Sequence, residues 1–347
     1  MSMRVAAPAL RNFIASLFER AGMPAAHAAT VADALVWANL RGVDTHGVSR
    51  VPRYLEFIET GIINPKPQMR VTTDTPAVQV LEADRAAGAV AMTMAADMAM
   101  AKASVAGIGL VMVRATTHTG ALGYFTERIA RGGMTGLAIT ASIPNMAYHG
   151  ARAAGVSTAP ISIAVPGAGD TPIVFDMGTG VVSLGRLAQA KRANETLAAG
   201  IALDAQGQPT TDAQAATIPL PLGGAKGSGL ALMIEMMSSI AVGNPLLAEF
   251  FSGEPDAKRH RQNALVIAID AFRFCPEEQF RGDVARTVAA LKALPADPQA
   301  GGILVPGERG YIEAERRGRN GIPLPPGVAN ELVAAATKLG LAAPWME

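Results

Sequence analysis

The sequence predicts an α/β protein. Strand-like segments alternate with segments of helical periodicity from about residue 78 onward, and this alternation is typical of the α/β class. Residues 7–61 differ, because they contain only helix-like segments separated by glycine and proline. Half of the 347 residues are hydrophobic, so the chain can bury a large core and has the length of two or three domains.

Three helices are predicted in the N-terminal segment. Apolar positions recur at helical spacing over residues 7–20, and Gly22 and Pro24 end that helix. Pro24 suits the first turn of the next helix, at 25–40, which stops before Gly42. A third helix passes through 54–58. Residues 64–67, Asn-Pro-Lys-Pro, must then be extended and form the first candidate domain boundary.

The remaining elements follow from apolar runs and their lengths. Strands are predicted at 78–81, 108–113, 135–139, 161–165, 172–176, 201–203 and 264–270. Helices are predicted at 86–106, 122–131 and 226–241. From residue 277 the chain is predicted to be mostly helical, with a loop at 294–306 and a last helix at 328–339.

Charge and composition exclude several classes of function. Lys and Arg number 30 against 29 Asp and Glu, without a basic stripe or an acidic tail, so neither nucleic acid nor an anionic membrane is an expected partner. The apolar stretches are too short or too interrupted by charge to span a bilayer. The N-terminus lacks the pattern of a signal peptide. We therefore expect a cytoplasmic protein.

No metal site is expected. Cys275 is the one cysteine and is interpreted as a structural or incidental thiol. The five histidines form neither an HxH nor an HExxH pair. His27, in an apolar helix, is expected to be structural, and His260, in the basic run 258–261, is expected to lie in a solvated turn.

Two segments carry groups suited to the chemistry of a small acid. In residues 41–50, Arg50 has the fork-shaped cation that binds a carboxylate, and His46 can exchange a proton near neutral pH. The alternative is that His46 caps a helix and Arg50 pairs with a surface acid. His118 follows the buried strand 108–113, at the strand end where ligands usually bind. It is a candidate general base or, alternatively, a polar loop residue.

Two glycine-rich segments are candidate nucleotide sites. In residues 221–229, glycines and Lys226 precede a helix, which favours an anion such as a pyrophosphate. The segment is not a P-loop, because Gly227 follows Lys226 where that motif needs Ser or Thr. The alternative is a glycine-rich turn with a solvated lysine. Residues 176–186 imitate a dinucleotide fingerprint but lack its third glycine and its later acidic residue, so a Rossmann domain is rejected.

Together these segments resemble the malate/L-lactate dehydrogenase family of the second, non-Rossmann type, which includes ureidoglycolate and sulfolactate dehydrogenases and the piperideine/pyrroline-2-carboxylate reductases. The resemblance is collinear and covers nearly the whole chain. Its anchors are Arg41-Gly42, His46-Gly47, Arg50, His118, Gly120, Gly123-Tyr124, Phe175-Asp176-Met177, Ala202-Leu203-Asp204, Pro209-Thr210-Thr211-Asp212, Pro221-Leu222-Gly223-Gly224, Lys226-Gly227 and Pro306-Gly307-Glu308.

The resemblance implies a fold and an assembly. It implies an α/β, non-Rossmann nicotinamide-binding fold with a largely antiparallel or mixed sheet, plus a helical domain built from both termini. Residues 1–70, joined by 277–347, would form the helical substrate-side domain, and 71–276 the NAD(P)-binding domain. The cofactor would be NAD or NADP. The protein would form a homodimer or a larger homo-oligomer with the active site near the subunit interface.

The resemblance also implies site residues. His118 would accept the proton of the substrate hydroxyl and His46 would hydrogen-bond the reacting oxygen. Arg50 would hold the substrate carboxylate, and Thr45 would line the substrate. The cofactor-binding residues would be Ser142, Asp176, Met177, Gly178, Lys226, Gly307 and Glu308.

The chain departs from the family pattern at Thr117, Ala159 and Gly180, which bears on cofactor geometry and substrate identity. Residues 148–152 resemble the imine-reductase branch, whereas 84–113 and 117–121 resemble ureidoglycolate dehydrogenase. The expected activity is hydride transfer between a nicotinamide and a small 2-hydroxy or 2-oxo acid. The alternatives are a cyclic imine-2-carboxylate reductase, a catalytically inactive nucleotide-binding paralogue, and a phosphate transferase built around Lys226.

Overall fold

The computed structural model describes residues 3–345 of the chain. The helices are α1 (Ala7–Arg20), α2 (Ala25–Leu40), α3 (Val51–Glu59), α4 (Gly88–Ala106), α5 (Gly123–Arg131), α6 (Leu184–Arg192), α7 (Ala225–Ser238), α8 (Leu246–Phe250), α9 (Glu277–Lys292), α10 (Glu308–Asn320) and α11 (Pro326–Lys338). The strands are β1 (Met3–Val5), β2 (Arg70–Asp74), β3 (Val78–Glu82), β4 (Ile108–Thr116), β5 (Thr135–Ser142), β6 (Met146–Ala147), β7 (Ala154–Val156), β8 (Ile161–Val165), β9 (Ile173–Met177), β10 (Ala202–Leu203), β11 (Pro209–Thr210), β12 (Ile218–Pro219), β13 (Gln262–Ile269) and β14 (Ile322–Leu324).

The main sheet has the strand order β2-β3-β4-β13-β5-β8-β9. Of its six strand pairs, β3 with β4 is parallel and the other five are antiparallel. This is the mixed, largely antiparallel sheet that the family resemblance implies, and it differs from the parallel sheet of a doubly wound dinucleotide fold. β13 lies between β4 and β5, so a strand from late in the chain separates two strands that follow each other in the sequence.

Helices cover both faces of the sheet. On one face α4 and α5 pack on β4, β5 and β13 around residues such as Phe125, Ile129 and Val266. On the other face α7 contributes Ala231 and Ile234, which pack near Ile139 and Leu265. Because the central strands are buried on both faces, their sequences are continuous apolar runs and do not alternate between apolar and polar residues.

A second core joins the two ends of the chain. β1 pairs with β14 in antiparallel register, with Met3 opposite Leu324. Leu10 and Leu17 of α1, Val31 of α2 and Leu332 of α11 belong to one buried cluster. The helical layer therefore needs residues from both termini, as the resemblance predicts, while the division at residues 70 and 277 remains a prediction.

Two longer elements, β2 and α6, are not predicted from the sequence. Every residue of β2 is exposed, so its sequence carries no apolar alternation. Only Leu187 and Ala190 of α6 are buried, which leaves no clear helical stripe. Among residues 3–345, no helix combines the length and the apolar character that a membrane-spanning segment needs.

Candidate active site

A cleft of about 810 Å³ lies along one edge of the main sheet. The strands β4, β5 and β9 end at this edge, and β8 and β13 begin there, because β8 and β13 run antiparallel to β5. The opposite wall comes from the turn 43–50 and from α3. Segments far apart in the sequence therefore meet around one cavity at strand ends, the usual place for a ligand in an α/β protein.

The turn that carries Thr45, His46 and Arg50 is held by Asp44. The Asp44 carboxylate accepts two hydrogen bonds from Arg317 of α10, at 2.6 and 3.0 Å, and a third from the Asn39 side chain at 2.5 Å. Arg317 is buried and also donates to Asn39 O at 2.7 Å. The C-terminal helix α10 thus fixes the position of the turn, and the sequence analysis gives no sign of this contact.

Arg50 is a half-buried guanidinium that faces the cleft. Its Nε donates to Thr45 O at 2.6 Å. Among residues 3–345, no carboxylate lies within salt-bridge distance of it. The alternative in which Arg50 pairs with a surface acid is therefore wrong. A half-buried cation without a counter-charge favours an anionic ligand.

The loop that carries His118 is fixed from two sides. The Thr117 hydroxyl donates to Ala86 O at 3.0 Å, and the Thr119 backbone N–H donates to the Gln262 side chain at 3.2 Å. The backbone of this loop also passes very close to Gly88, where an added Cβ would lie 2.3 Å from His118 O. Thr117, one of the departures from the family pattern, therefore serves to anchor the loop.

Tyr54 is a site residue that the sequence analysis does not identify. Its hydroxyl lies 2.6 Å from His118 Nδ1 and 3.5 Å from His118 O. Burial raises the pKa of Tyr54 to about 12, so the phenol stays protonated at neutral pH. Tyr54 lies four residues after Arg50, one helical turn away, and this spacing is the signal that could have identified it.

The two predicted catalytic imidazoles lie face to face. The rings of His46 and His118 are stacked, with centroids 5.8 Å apart and 18° between their planes. Burial, and then the charge of Arg50, lowers the pKa of His46 to about 4. The same two causes lower the pKa of His118 well below its ordinary value. Both rings are therefore neutral at physiological pH and able to accept a proton or a hydrogen bond.

His260 also lines the cleft, so the prediction of a solvated turn is wrong. Its ring stacks on Phe57 at 5.0 Å and lies 6.5 Å from the ring of His118. The neighbouring arginines carry the surface contacts, since Arg259 donates to Gly61 O and Arg261 pairs with Glu249. The following strand gives no sequence signal for His260, because β13 is buried at positions of both parities.

Four of the predicted cofactor residues line the same cleft: Ser142, Asp176, Met177 and Gly178. The Asp176 carboxylate accepts a hydrogen bond from Gly123 N at 2.7 Å. Enclosure by the protein raises the pKa of Asp176 to about 6, while the hydrogen bond from Gly123 and the charge of Arg41 act against that shift. Ala159 and Gly180, two further departures from the family pattern, also line the cleft.

The other predicted cofactor residues, Lys226, Gly307 and Glu308, do not line the cleft. Lys226 is exposed at the start of α7, four residues after Leu222, which does line the cleft. Gly307 has a φ of +85°, and a Cβ there would lie 3.0 Å from Val174 O, so the turn before α10 requires glycine. Glu308 pairs with Lys292. The next residue, Arg309, lines the cleft in its place.

The part of the chain that the structure describes contains no group of three or more His, Cys, Asp or Glu side chains placed to hold a metal ion.

A family model described as malate/L-lactate dehydrogenase matches residues 5–333. The chain belongs to the malate/L-lactate dehydrogenase family. It is 32% identical over 335 residues to the ureidoglycolate dehydrogenase (NAD(+)) of Escherichia coli O157:H7, an alignment that covers 96% of each chain. It is also 32% identical over 324 residues to a Δ1-pyrroline-2-carboxylate/Δ1-piperideine-2-carboxylate reductase of Pseudomonas putida, covering 92% of this chain and 93% of that one.

Solved structures of this family share the fold. The malate dehydrogenase of Pyrococcus horikoshii OT3 superposes with a TM-score of 0.88 at 31% identity, covering 99% of this chain and 97% of that one. Membership of the malate/L-lactate dehydrogenase family confirms the predicted class, an oxidoreductase that acts on hydroxy acids. It also removes the support for a phosphate transferase built around Lys226.

Proposed function

We propose that this protein oxidises a small 2-hydroxy acid to the 2-oxo acid, and catalyses the reverse reaction, with NAD or NADP as the hydride carrier. The observation that supports this most strongly is the unpaired guanidinium of Arg50 beside the neutral ring of His118. A guanidinium without a carboxylate partner in the protein can bind the carboxylate of a substrate, and a neutral imidazole beside it can accept the proton of a hydroxyl group.

A nicotinamide cofactor fits the rest of the cleft. The volume of about 810 Å³ leaves room for a second, larger ligand beside an acid of three or four carbons. Ser142, Asp176, Met177 and Gly178 would hold the cofactor, because they offer a hydroxyl, a carboxylate and backbone groups on one side of the cleft. When bound, the nicotinamide accepts the hydride that leaves C2 of the substrate, or returns it in the reverse direction. Lys226, Gly307 and Glu308 remain predicted cofactor residues, although they do not line the cleft.

Arg50 binds and orients the substrate. Its guanidinium can form two parallel hydrogen bonds to a carboxylate, which fixes the acid in position and in rotation. Its Nε is already held by Thr45 O, so the side chain is placed before the substrate arrives. Such preorganisation presents C2 to the catalytic groups without a further search for orientation.

His118 takes the hydroxyl proton as the carbonyl forms. The Tyr54 hydroxyl can donate to His118 O and accept from the Nδ1–H of the same residue, which leaves the lone pair of Nε2 free. The hydroxyl proton passes to Nε2, and the C2 hydrogen leaves as hydride. In the reverse direction the protonated ring returns the proton to the oxygen. Tyr54 thereby selects the tautomer that can act as a base.

His46 is placed to hydrogen-bond the reacting oxygen. Its Nδ1 lies 3.1 Å from the Thr45 hydroxyl, which fixes the ring beside His118. A donor aimed at the oxygen where charge changes stabilises the transition state more than the ground state. Thr45 closes the same side of the substrate space.

A substrate panel tests the proposed activity. The assay measures turnover of lactate and malate with NAD and NADP, and of their 2-oxo acids and a cyclic imine-2-carboxylate with NADH and NADPH. Fluorescence titration measures the binding of NADH and NADPH. We expect turnover of at least one acid. Binding of a nicotinamide cofactor without any turnover would indicate an inactive paralogue and contradict the proposal.

Arg50→Ala tests the assignment of the carboxylate site. Loss of a charge-assisted bidentate contact should raise KM for the acid by roughly ten- to a hundredfold, with a smaller change in kcat. Arg50→Lys keeps the charge but not the fork, so it should recover only part of the loss. Unchanged KM in both variants would show that the acid binds elsewhere.

We also propose that the protein assembles as a homodimer or a larger homo-oligomer. The support is the resemblance to its family. Light scattering on the purified protein across a range of concentrations measures the mass directly, and a monomer at all concentrations would contradict this proposal.

A further inference from the structure

The end of the cleft beyond His118 has no role in the function proposed above. Among the three imidazoles, His118 is the neighbour of both others, at 5.8 Å from His46 and 6.5 Å from His260. Arg50 lies on the His46 side, since it is bonded to Thr45. A substrate whose carboxylate meets Arg50 and whose C2 meets His118 would therefore direct its remaining substituent toward His260.

The charges around the rings agree with this order. Arg50 acts on both His46 and His118, whereas the cation that acts on His260 is Arg53. The far end of the cleft therefore has a different cation as its own neighbour, although His260 also acts on His118. The side chains of His260, Phe57 and Arg53 form it, and we refer to these three residues as the distal wall.

The distal wall is a continuous stack. The ring of Phe57 lies on the ring of His260 with 27° between their planes, and the guanidinium of Arg53 lies 4.5 Å from the centroid of Phe57. These contacts hold the imidazole of His260 in one place without using its nitrogen atoms. Its Nε2 is buried and has no hydrogen-bonding partner among the described residues.

A buried ring nitrogen without a partner requires an explanation, because such groups are nearly always satisfied. Because Nε2 is enclosed, a ligand in the cleft would meet the partly exposed ring at its other nitrogen, Nδ1, which is not enclosed and has no hydrogen-bonding partner among the described residues either. A hydrogen bond from the ligand would supply the interaction that the protein itself does not provide.

The distal wall offers little net charge to that ligand. Arg53 is matched by Glu56, whose two carboxylate oxygens lie 2.6 and 2.7 Å from Nη1. Burial, and then the charge of Arg53, lowers the pKa of His260 to about 4, so the ring is neutral at physiological pH. A second carboxylate would lose hydration here without meeting an unpaired cation, whereas a neutral amide loses less and can still form a hydrogen bond.

We propose that the distal wall is a specificity site for the third substituent of C2, and that His260 hydrogen-bonds a neutral amide-type group there, such as a carboxamide or a ureido group. The proposal rests on the 2-hydroxy acid function described above. It makes His260 a residue that selects among substrates, distinct from the groups that move the proton and bind the carboxylate.

Three 2-hydroxy acids of nearly equal shape provide the test. 2-Hydroxysuccinamate carries a carboxamide, malate a carboxylate and 2-hydroxy-4-methylpentanoate an apolar branch at the same position. The wild-type enzyme should favour the carboxamide over each of the others by about tenfold or more in kcat/KM, which is the discrimination that one buried hydrogen bond supplies. Calorimetry measures the corresponding Kd values without requiring turnover.

Variants then assign the preference to His260. His260→Leu should lower the carboxamide-to-apolar ratio about tenfold, and His260→Asn, which keeps a hydrogen-bonding group, should retain part of it. His27→Leu, in α2, is the matched control and should leave the ratio unchanged. Thermal melting verifies that each variant is folded.

The outcomes separate this proposal from the proposed function. Preferential binding of the carboxamide without turnover by any acid would support the distal wall and contradict the dehydrogenase activity. Turnover that favours malate or the apolar acid would overturn the distal wall alone. Equal losses for all three acids in both His260 variants would show that the ring has only a structural role, and would also overturn it.

Discussion

In the proposed mechanism His118 acts as a base only while its ring is neutral, and its surroundings keep the ring neutral. Burial, the charge of Arg50 and the neighbouring rings of His46 and His260 all disfavour the imidazolium. The same factors make the protonated form a strong acid in the reverse reaction. The site is therefore ready to take a proton from a hydroxy acid over a wide range of pH, provided that Tyr54 holds the correct tautomer.

His118→Asn should lower kcat by at least about a hundredfold and change KM little, because a general base acts in the transition state. The asparagine keeps a polar group of similar size in the loop. His27→Asn is the control, since its ring lies in α2, away from the cleft. Steady-state kinetics on both variants is the measurement, and equal kcat values for the two would remove His118 from the mechanism.

Asp176 links function to stability. Its pKa is raised to about 6 in the folded protein, above the ordinary value of 3.8, so its ionisation opposes folding. The sign follows from linkage. The contribution of Asp176 to the free energy of unfolding is most favourable below about pH 4, falls as the pH rises from about 4 to 6, and changes little above that. Water in the cleft screens part of the effect, which leaves about 1 kcal/mol at pH 8.

Asp176→Asn should therefore raise the stability of the ligand-free protein by about 1 kcal/mol at pH 8 and by much less at pH 4. Urea unfolding at the two pH values measures the difference. The same variant should weaken binding of the cofactor, which fluorescence titration detects. A stabilisation that is equal at both pH values would show that ionisation of Asp176 is not its cause.

Among the elements, α2, α5 and α10 are joined by one buried ion pair. Arg41 of the turn after α2 and Glu127 of α5 meet at 3.1 Å, each with 6% of its side chain exposed. Arg41 also lies 3.8 Å from the ring centroid of Tyr311 in α10, and donates to Gly307 O at 3.3 Å. The pair therefore fixes the turn that precedes α10, and Arg309 lines the cleft from the first turn of that helix.

Glu127→Ala should destabilise the protein by about 3 kcal/mol, because it leaves the Arg41 charge buried and unpaired. We also expect a higher KM for the cofactor, since the 305–309 turn loses its support. Glu315→Ala removes a pair with Arg319 that is exposed on α10, and should cost less than about 0.5 kcal/mol. Similar unfolding free energies for the two variants would contradict the importance of the buried pair.

The elements also show what a sequence can reveal. α4 and β4 were predictable because their apolar patterns are long and buried, whereas β2 and α6 expose most of their residues and leave no pattern. His118 was placed at a strand end by the α/β rule alone. Tyr54, Arg317 and His260 could not be placed in this way, because their roles depend on contacts between segments that lie more than 60 residues apart.

At the scale of the molecule, the cleft joins two cores. The sheet supplies His118, Gln262 and Asp176, and the helical layer supplies Arg50 and Tyr54. Packing of α11 against α3, and against the turn that ends at Arg50, connects the C-terminal helix to the substrate side. Loss of packing in that helix should therefore affect both stability and binding of the acid.

Leu332→Ala creates a cavity at a fully buried position of α11 and should cost roughly 2–5 kcal/mol of unfolding free energy. KM for the acid should rise as the helical layer loosens. Asn330→Ala, on the exposed side of the same helix, is the matched control and should change neither quantity appreciably. Denaturant unfolding and kinetics on both variants provide the comparison, and a Leu332 variant as stable as the control would refute this account of the layer.

The pairing of β1 with β14 has a consequence for biosynthesis. A ribosome releases residues in order, so Met3 must wait for Leu324 before it gains its partner strand. Arg317, which secures Asp44, also emerges late. The nascent polypeptide therefore cannot complete the substrate half of its cleft during most of translation, and we expect catalysis to begin only after nearly the whole chain has left the exit tunnel.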